Sequence, residues 1–508
     1  MSQPRPPGTE AALEQAWTLL TTGEPAAARA IYDGILRSDP LNQDAVFLLG
    51  IAHAELNDLP TALRWFQEIT TLDPLHAEGW FQRGVVSLAL ARFEEAADSL
   101  RHFLRLRPDE MAGLMQYGYL LTYQGQYAAA LPYLARVVAT EPNNTMAQNL
   151  YAIALMSIGQ FDAAKAGFRR LTAIDPDGAQ GWASLGFLHL LLGEYAAGWP
   201  LYEWRAVPDP PRPAGHTPPR WDGRTDLRGK TLLLHTDAAF GDMIQFCRFA
   251  PLAVEAGARV ILAMQEPLVR LMRNLPGVAE TVVNRSPLPP HDLSYPVMSL
   301  AFAFGITLDK LPGPIPYLWP MTRSVEAWKA RIAHLPQPRV GLAWAAAPRP
   351  GEISLQAFSQ RKSMALAALA PLAGIPDVTF VMLQIGEAAG QARHPPPGMI
   401  IHDFTGYIQD FEDTAGMIAN LDLVISVDTS VAHLAGAMGR PVWLMNLFDT
   451  DWRWMLDRDD SPWYPTMRIF RQPRPGDWDS VAQAVADALA ELTANFKRAD
   501  KGFERVRI

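Results

Sequence analysis

At 508 residues, with 49% apolar and 19% charged side chains, the chain is long enough for roughly two to four domains with substantial cores. A net charge of −9 argues against a nucleic-acid or anionic-membrane surface, and the single cysteine, Cys247, excludes an internal disulfide and a thiolate metal site. The opening MSQPRPPGTEAALEQ lacks the apolar core of a signal peptide and no apolar run is long enough to span a bilayer, so a cytoplasmic protein is expected.

The first two hundred residues repeat. Pro40, Pro74, Pro108, Pro142 and Pro176 recur every 34 positions, the tetratricopeptide (TPR) period. Ala28, Ala62, Ala96, Ala130 and Ala164 form a column of small residues, suited to the crossing point of two helices. Gly50, Gly84, Gly118 and Gly186 share a place in the first helix of their repeats, and Tyr32, Phe66, Leu100, Leu134 and Phe168 share a large apolar place in the second. Trp80 and Trp182 open their repeats. A sixth unit begins near Ala179, carries Gly198 at the small position, and runs into WPLYEWR where a closing proline would stand. These columns predict an all-α TPR superhelix over residues 9–206, a stack of helical hairpins whose concave face binds a peptide or protein. The first helices carry few basic residues and several Tyr and Gln, among them Gln116, Tyr117, Tyr123, Gln148 and Tyr151, so no acidic or nucleic-acid ligand is expected there.

Residues 207–230, VPDPPRPAGHTPPRWDGRTDLRGK, read as a semi-rigid proline-rich linker, with Trp221 anchoring it to a neighbouring surface. Beyond it short apolar strands alternate with helices. TLLLHT, RVILAM, ETVVN and DLSYPV are strands of a first lobe over residues 231–336, with a helix from Ile244 to Ala256. RVGLAWA, TFVMLQI, MIIHDF, LVISVD and PVWLMN are strands of a second lobe over residues 337–497, closed by an amphipathic helix from Asp479 to Phe496. Two such series imply two Rossmann-like lobes with a cleft between them.

The stretch LVISVDTSVAHLAGAMGRPVWLMN reads as strand, turn, helix, turn, strand. It sets a helix N-terminus at the carboxyl edge of a parallel sheet, where free amides and the helix dipole favour an anion. Thr429 and Ser430 can donate hydroxyls to a phosphate, and His433 lies one turn further on. Asp428 suits a cap or a sugar hydroxyl better than a diphosphate. In the first lobe Asp242 follows strand TLLLHT, placed to face that helix start as a base. Arg361 and Lys362 follow RVGLAWA and could neutralise a diphosphate leaving group. Trp344 ends that strand as core or as a stacking surface, and Gln384 ends TFVMLQI at the same edge. Neither GxGxxG nor a Walker A sequence occurs, and no metal-ligand spacing is found, so no catalytic metal is required.

FGDMIQFCRFAPL, RVGLAWA, DLVISVDTSVAHLAGAMGRPVWLM and DWRWMLDRDDSPWYPTMRIFRQ resemble the TPR-linked glycosyltransferases related to glycosyltransferase family 9, the heptosyltransferases. The architecture is also similar to that of O-GlcNAc transferase. The resemblance implies a GT-B fold and an inverting, metal-independent transfer from a nucleotide-diphosphate sugar, a co-substrate, with no further cofactor. It implies Asp242 as catalytic base, Lys362 as phosphate-binding lysine, and Asp428, Thr429, Ser430 and His433 as the nucleotide-diphosphate loop. Where the family has glycines, this chain has Ala238, Ala239 and Phe240 before Gly241, and Ala346-Ala347-Pro348 after its strand. Added side chains there narrow loops that approach a ligand.

The first expectation is therefore a protein O-glycosyltransferase whose repeats recruit the acceptor polypeptide. Two alternatives stand beside it: a TPR scaffold with a degenerate, non-catalytic transferase domain, and a heptosyltransferase-like enzyme acting on a glycan or lipid-linked saccharide.

Overall fold

A computed structural model of the chain describes residues 8–206, 219–236, 239–285, 287–311, 313–348 and 353–504, with side chains to residue 494. Residues 207–218 of the expected linker, and Asp237 and Ala238 of the loop before Gly241, lie outside the described residues. The chain forms two compact units: residues 1–174 with 349–358, and residues 175–348 with 359–508.

The first unit is built of five helical hairpins, pairing Thr9–Thr21 with Pro25–Ser38, Gln43–Glu55 with Leu59–Leu72, Ala77–Ala89 with Phe93–Leu106, Met111–Tyr123 with Tyr127–Thr140, and Thr145–Ser157 with Phe161–Ile174. The sequence columns explain the pairing. All five alanines of the small column have no exposed surface. A Cβ on Gly50 would meet Phe66 at 2.7 Å, and one on Gly84 would meet Leu100 at 2.7 Å. The glycine of the first helix is thus the seat for the large residue of the second. The prolines leave a carbonyl that the next repeat uses: Trp80 Nε1 donates to Pro74 O at 2.9 Å, and Gln148 Nε2 to Pro142 O at 2.9 Å. A further column joins the helices of each hairpin: Gly23, Asn57, Ala91, Gly125, Gly159 and Gly193 all have positive φ. This left-handed turn favours glycine, and Asn57 and Ala91 adopt it at a steric cost.

The sixth hairpin, Ala179–Leu191 with Tyr195–Tyr202, belongs to the second unit. Its aromatic residues are the reason. Trp199 Nε1 donates to Ile306 O at 2.7 Å, and Trp463 Nε1 donates to the Tyr195 hydroxyl at 3.1 Å. Trp452 lies edge-on to Trp199, Tyr195 and Trp463, and is fully buried. WPLYEWR departs from the repeat pattern because its large side chains fill this aromatic core.

Two parallel sheets follow. Strands β1 (Thr231–His235), β2 (Arg259–Met264), β3 (Val278–Val283) and β4 (Leu293–Pro296) form the first, in the order β3-β2-β1-β4. Strands β5 (Arg339–Ala343), β6 (Thr379–Met382), β7 (Ile401–His402), β8 (Leu423–Val427), β9 (Val442–Asn446) and β10 (Met467–Arg471) form the second, in the order β10-β9-β8-β5-β6-β7. Every residue of β8 and β9 is buried, as unbroken apolar runs require in a sheet covered on both faces. In both sheets the chain winds outward in one direction and then restarts on the other side of its first strand. That places a switch point between β1 and β4 and another between β5 and β8, and open parallel sheets bind ligands outside the carboxyl ends at such points.

Several elements differ from the sequence expectation, and the strand expected over MIIHDF is confined to Ile401–His402. The helix expected from Ile244 to Ala256 starts at Phe240 and is interrupted by a 3-10 turn over Cys247–Phe249 before it resumes at Ala250–Glu255. Pro251, which has no amide hydrogen, sits in the first turn of the second piece, where none is needed. Strand β10 lies inside a stretch dense in Trp and charge, where its basic residues interrupt the apolar signal. Among the described residues no helix is long and apolar enough to cross a membrane.

Candidate functional site

The switch point between β5 and β8 gathers charged side chains. Asp428 directly follows β8, and the helix Ser430–Ala437 begins two residues later. Lys362 comes from the connection after β5. Its ammonium lies 4.0 Å from Asp428 Oδ2, and both side chains keep under a fifth of their surface exposed. Thr429 occupies the N-cap position, but its side chain does not cap the helix; its hydroxyl lies 3.0 Å from Ser426 Oγ. The helix start therefore keeps the anion-attracting character that its dipole gives it.

His433 sits one turn into this helix and is 5% exposed. Its Nδ1 is 2.9 Å from the Tyr464 hydroxyl, and its Nε2 is 3.7 Å from Asp428 Oδ1. Burial, reinforced by the charge of Arg453, pushes the imidazole down to about 3 from its usual 6.5. It is neutral at physiological pH, so its approach to Asp428 is not an ion pair. The neutral ring is hydrogen-bonded to the Tyr464 hydroxyl, which burial holds well above the usual tyrosine range.

The first sheet supplies the opposite wall. Helix Phe240–Phe246 begins after β1 and packs against helix Ser430–Ala437. At Gly241 a Cβ would lie 2.8 Å from His433 Cδ2. The second residue of helix Phe240–Phe246 is therefore glycine for a close approach, which any side chain would spoil. Asp242, in the next position, uses Oδ2 to accept from Ala239 N at 2.9 Å and Oδ1 to accept from Arg453 at 2.5 Å. Its side chain is 20% exposed.

Arg453 is the residue that sequence reasoning missed. It is 7% exposed and donates to Asp242, to Asp451 Oδ1 at 3.0 Å and to Gln245 Oε1 at 2.5 Å, with its guanidinium 4.4 Å from the Trp452 ring centre. Burial alone would weaken its hold on the proton, but the Asp451 and Asp242 carboxylates more than offset this and keep it charged. The signal was present: Arg453 stands between Trp452 and Trp454, whose rings can bury it, and a buried cation requires carboxylates. Gln245 leaves Nε2 buried without a hydrogen-bond partner.

The structure brings Asp242, Lys362, Asp428, Thr429, Ser430 and His433 to the facing switch-point edges, and engages the other three expected residues in the protein's own packing and hydrogen bonds. Trp344 is fully buried in the core of the second sheet, so it is no stacking surface for a base or sugar. Gln384 spends its amide on the protein, with Oε1 accepting from Trp344 N at 3.0 Å and Ala345 N at 2.8 Å, and Nε2 donating to Ile385 O. Arg361 is paired with Asp449. Ala346 N donates to Ser363 Oγ at 2.9 Å, so the amides that follow β5 are held by side chains. A separate concavity of about 330 Å³, lined by Arg323, Trp328, Arg331, Tyr407 and Asp413 among others, contains none of the six gathered residues. Among the described residues no cluster of His, Cys, Asp and Glu could hold a metal ion.

These features define a TPR array joined to a parallel α/β unit with a charged cluster at its switch points. Residues 13–77 and 81–145 match one family described as tetratricopeptide repeat, and residues 121–186 match a second of the same description. The chain is 29% identical over 341 residues to Protein FlbA of Caulobacter vibrioides, a match that covers 60% of this chain and 54% of that protein. It thus spans about half the length of that relative, and the match is longer than the repeats and reaches into the α/β unit. Similar solved structures include MamA (19% identity, 34% of this chain and 94% of that one, TM-score 0.31) and YrrB, a TPR protein with an unusual peptide-binding site (21% identity, 34% and 89%, TM-score 0.32). A tetratricopeptide repeat protein from Parabacteroides merdae is 18% identical, covering 41% of this chain and 81% of that one at a TM-score of 0.36.

Proposed function

We propose that the second unit is a GT-B glycosyltransferase that moves a sugar from a nucleotide-diphosphate sugar to a hydroxyl of a protein recruited by the repeats. One observation carries this reading: the helix that bears Asp242 lies against the helix that starts at Ser430, with Lys362 and Asp428 at the same edge. Asp242 takes the proton of the acceptor hydroxyl as its oxygen bonds to the anomeric carbon. The bond from that carbon to the diphosphate breaks, with inversion, and the diphosphate departs toward Lys362 and the helix dipole. His433, held neutral, donates or accepts a hydrogen bond without adding charge.

A second reading, nucleotide-diphosphate binding without turnover, is favoured by the hydrogen bonds of Asp242, whose two carboxylate oxygens are already engaged by Ala239 N and by Arg453. Titration calorimetry with a panel of nucleotide diphosphates, paired with transfer of labelled sugar to cell-extract proteins, separates the two. The transferase reading expects Lys362→Ala to weaken diphosphate binding at least tenfold. It expects Asp242→Asn to abolish transfer while binding persists. Binding without any Asp242-dependent transfer establishes the second reading, and no binding at all removes both.

A further inference from the structure

One segment of the first unit is foreign to the repeats: residues 353–358 group with the five hairpins, although they lie between β5 and β6 in sequence. It begins the helix Ile353–Arg361. Ile353 packs on an apolar cluster that includes Leu88, Tyr117, Leu121 and Leu150, from the third, fourth and fifth hairpins. Ala357, one helical turn later on the same face, is 3% exposed. Neither residue belongs to a repeat column, so the repeats do not need this segment to complete their own packing pattern. Residues 353–360, ISLQAFSQ, carry no charge and no proline. The segment is a short, uncharged helix with an aliphatic anchor seated on an apolar cluster, the helix-in-groove mode of peptide recognition.

We propose that this seat is the peptide-binding site of the array, filled in cis by Ile353–Phe358. A partner with a short uncharged helix and an aliphatic anchor binds there by displacing it. The tethered segment competes at an effective concentration on the order of millimolar, so a free peptide binds the intact chain weakly. The same helix ends at Arg361, so displacing its first turns removes the helical packing that leads into Arg361 and Lys362. The proposal does not depend on the transferase reading.

The test uses the full chain and a fluorescent peptide of sequence ISLQAFSQ, followed by anisotropy. Ile353→Asp empties the seat, and the peptide should bind this variant at least tenfold more tightly than the wild type. Equal affinities, or no binding to the folded variant, overturn the proposal. The peptide has no lysine or arginine, so a tryptic arm on the wild-type chain needs no substitution. Millimolar peptide should speed cleavage after Arg361 and Lys362 several-fold, whereas a scrambled peptide should not. An unchanged cleavage rate overturns the proposal even where Ile353→Asp fails to fold.

Discussion

Acid should destabilise the second unit through His433 before most carboxylates titrate. The imidazole is neutral in the folded chain down to about pH 3, whereas an unfolded histidine takes a proton near 6.5. Below 6.5 the unfolded state therefore binds one proton more than the folded state. Stability from this group is complete above that pH and is lost as pH falls toward 3, at about 1.4 kcal/mol per unit. Between pH 6.5 and 5 the loss is about 2 kcal/mol. His433→Gln keeps a polar atom for the Tyr464 hydroxyl and removes the titration. Urea unfolding at pH 7.5 and at pH 5 measures both chains, with tryptophan emission as the probe; Trp454 has its ring centre 5.2 Å from the imidazole. The stability difference between wild type and variant should shift by about 2 kcal/mol in favour of the variant at pH 5. Curves that stay parallel between the two pH values would refute the reasoning, because they would mean that the buried ring accepts its proton as easily as an exposed one.

Arg453→Met should cost about 3–5 kcal/mol by the same urea assay, because it leaves the Asp242 and Asp451 carboxylates largely buried and uncompensated. The triple variant with Asp242→Asn and Asp451→Asn should recover much of that loss. Ala91→Gly should raise stability by about 0.5–1 kcal/mol in a thermal melt, since it relieves a left-handed turn at φ 55°. Two glycines of the repeats should respond to alanine with opposite signs. Gly84→Ala sets a methyl group 2.7 Å from Leu100 Cγ and should cost about 1–3 kcal/mol, whereas Gly34→Ala meets nothing within 4 Å inside a helix and should gain about 0.5–1 kcal/mol.

The repeats were legible because each column has a single packing cause that recurs. Ala96 is small because a helix crosses it, and Gly84 is small because Leu100 occupies its place. The turn column that includes Asn57 and Ala91 is harder to see, because a left-handed φ leaves no mark on a residue that tolerates it badly. At the switch points, local pattern located Asp428 and Asp242, since strand ends and helix starts announce themselves in sequence. Pattern could not choose between surface and core for Trp344, whose burial depends on what lies across the sheet. Nor could it assign Arg361, whose partner Asp449 is 88 positions away. Arg453 shows the same limit from the other direction: its partners Asp242 and Gln245 come from the helix after β1, over two hundred residues earlier.

The aromatic anchoring of the sixth hairpin bears on how the chain can be divided. A fragment begun at the proline-rich stretch, where the composition invites a cut, would discard Tyr195 and Trp199 and leave Trp452 facing water. Starting the fragment at Asp175 keeps that lid in place. The last hairpin of the superhelix is, in folding terms, the first secondary structure of its neighbour.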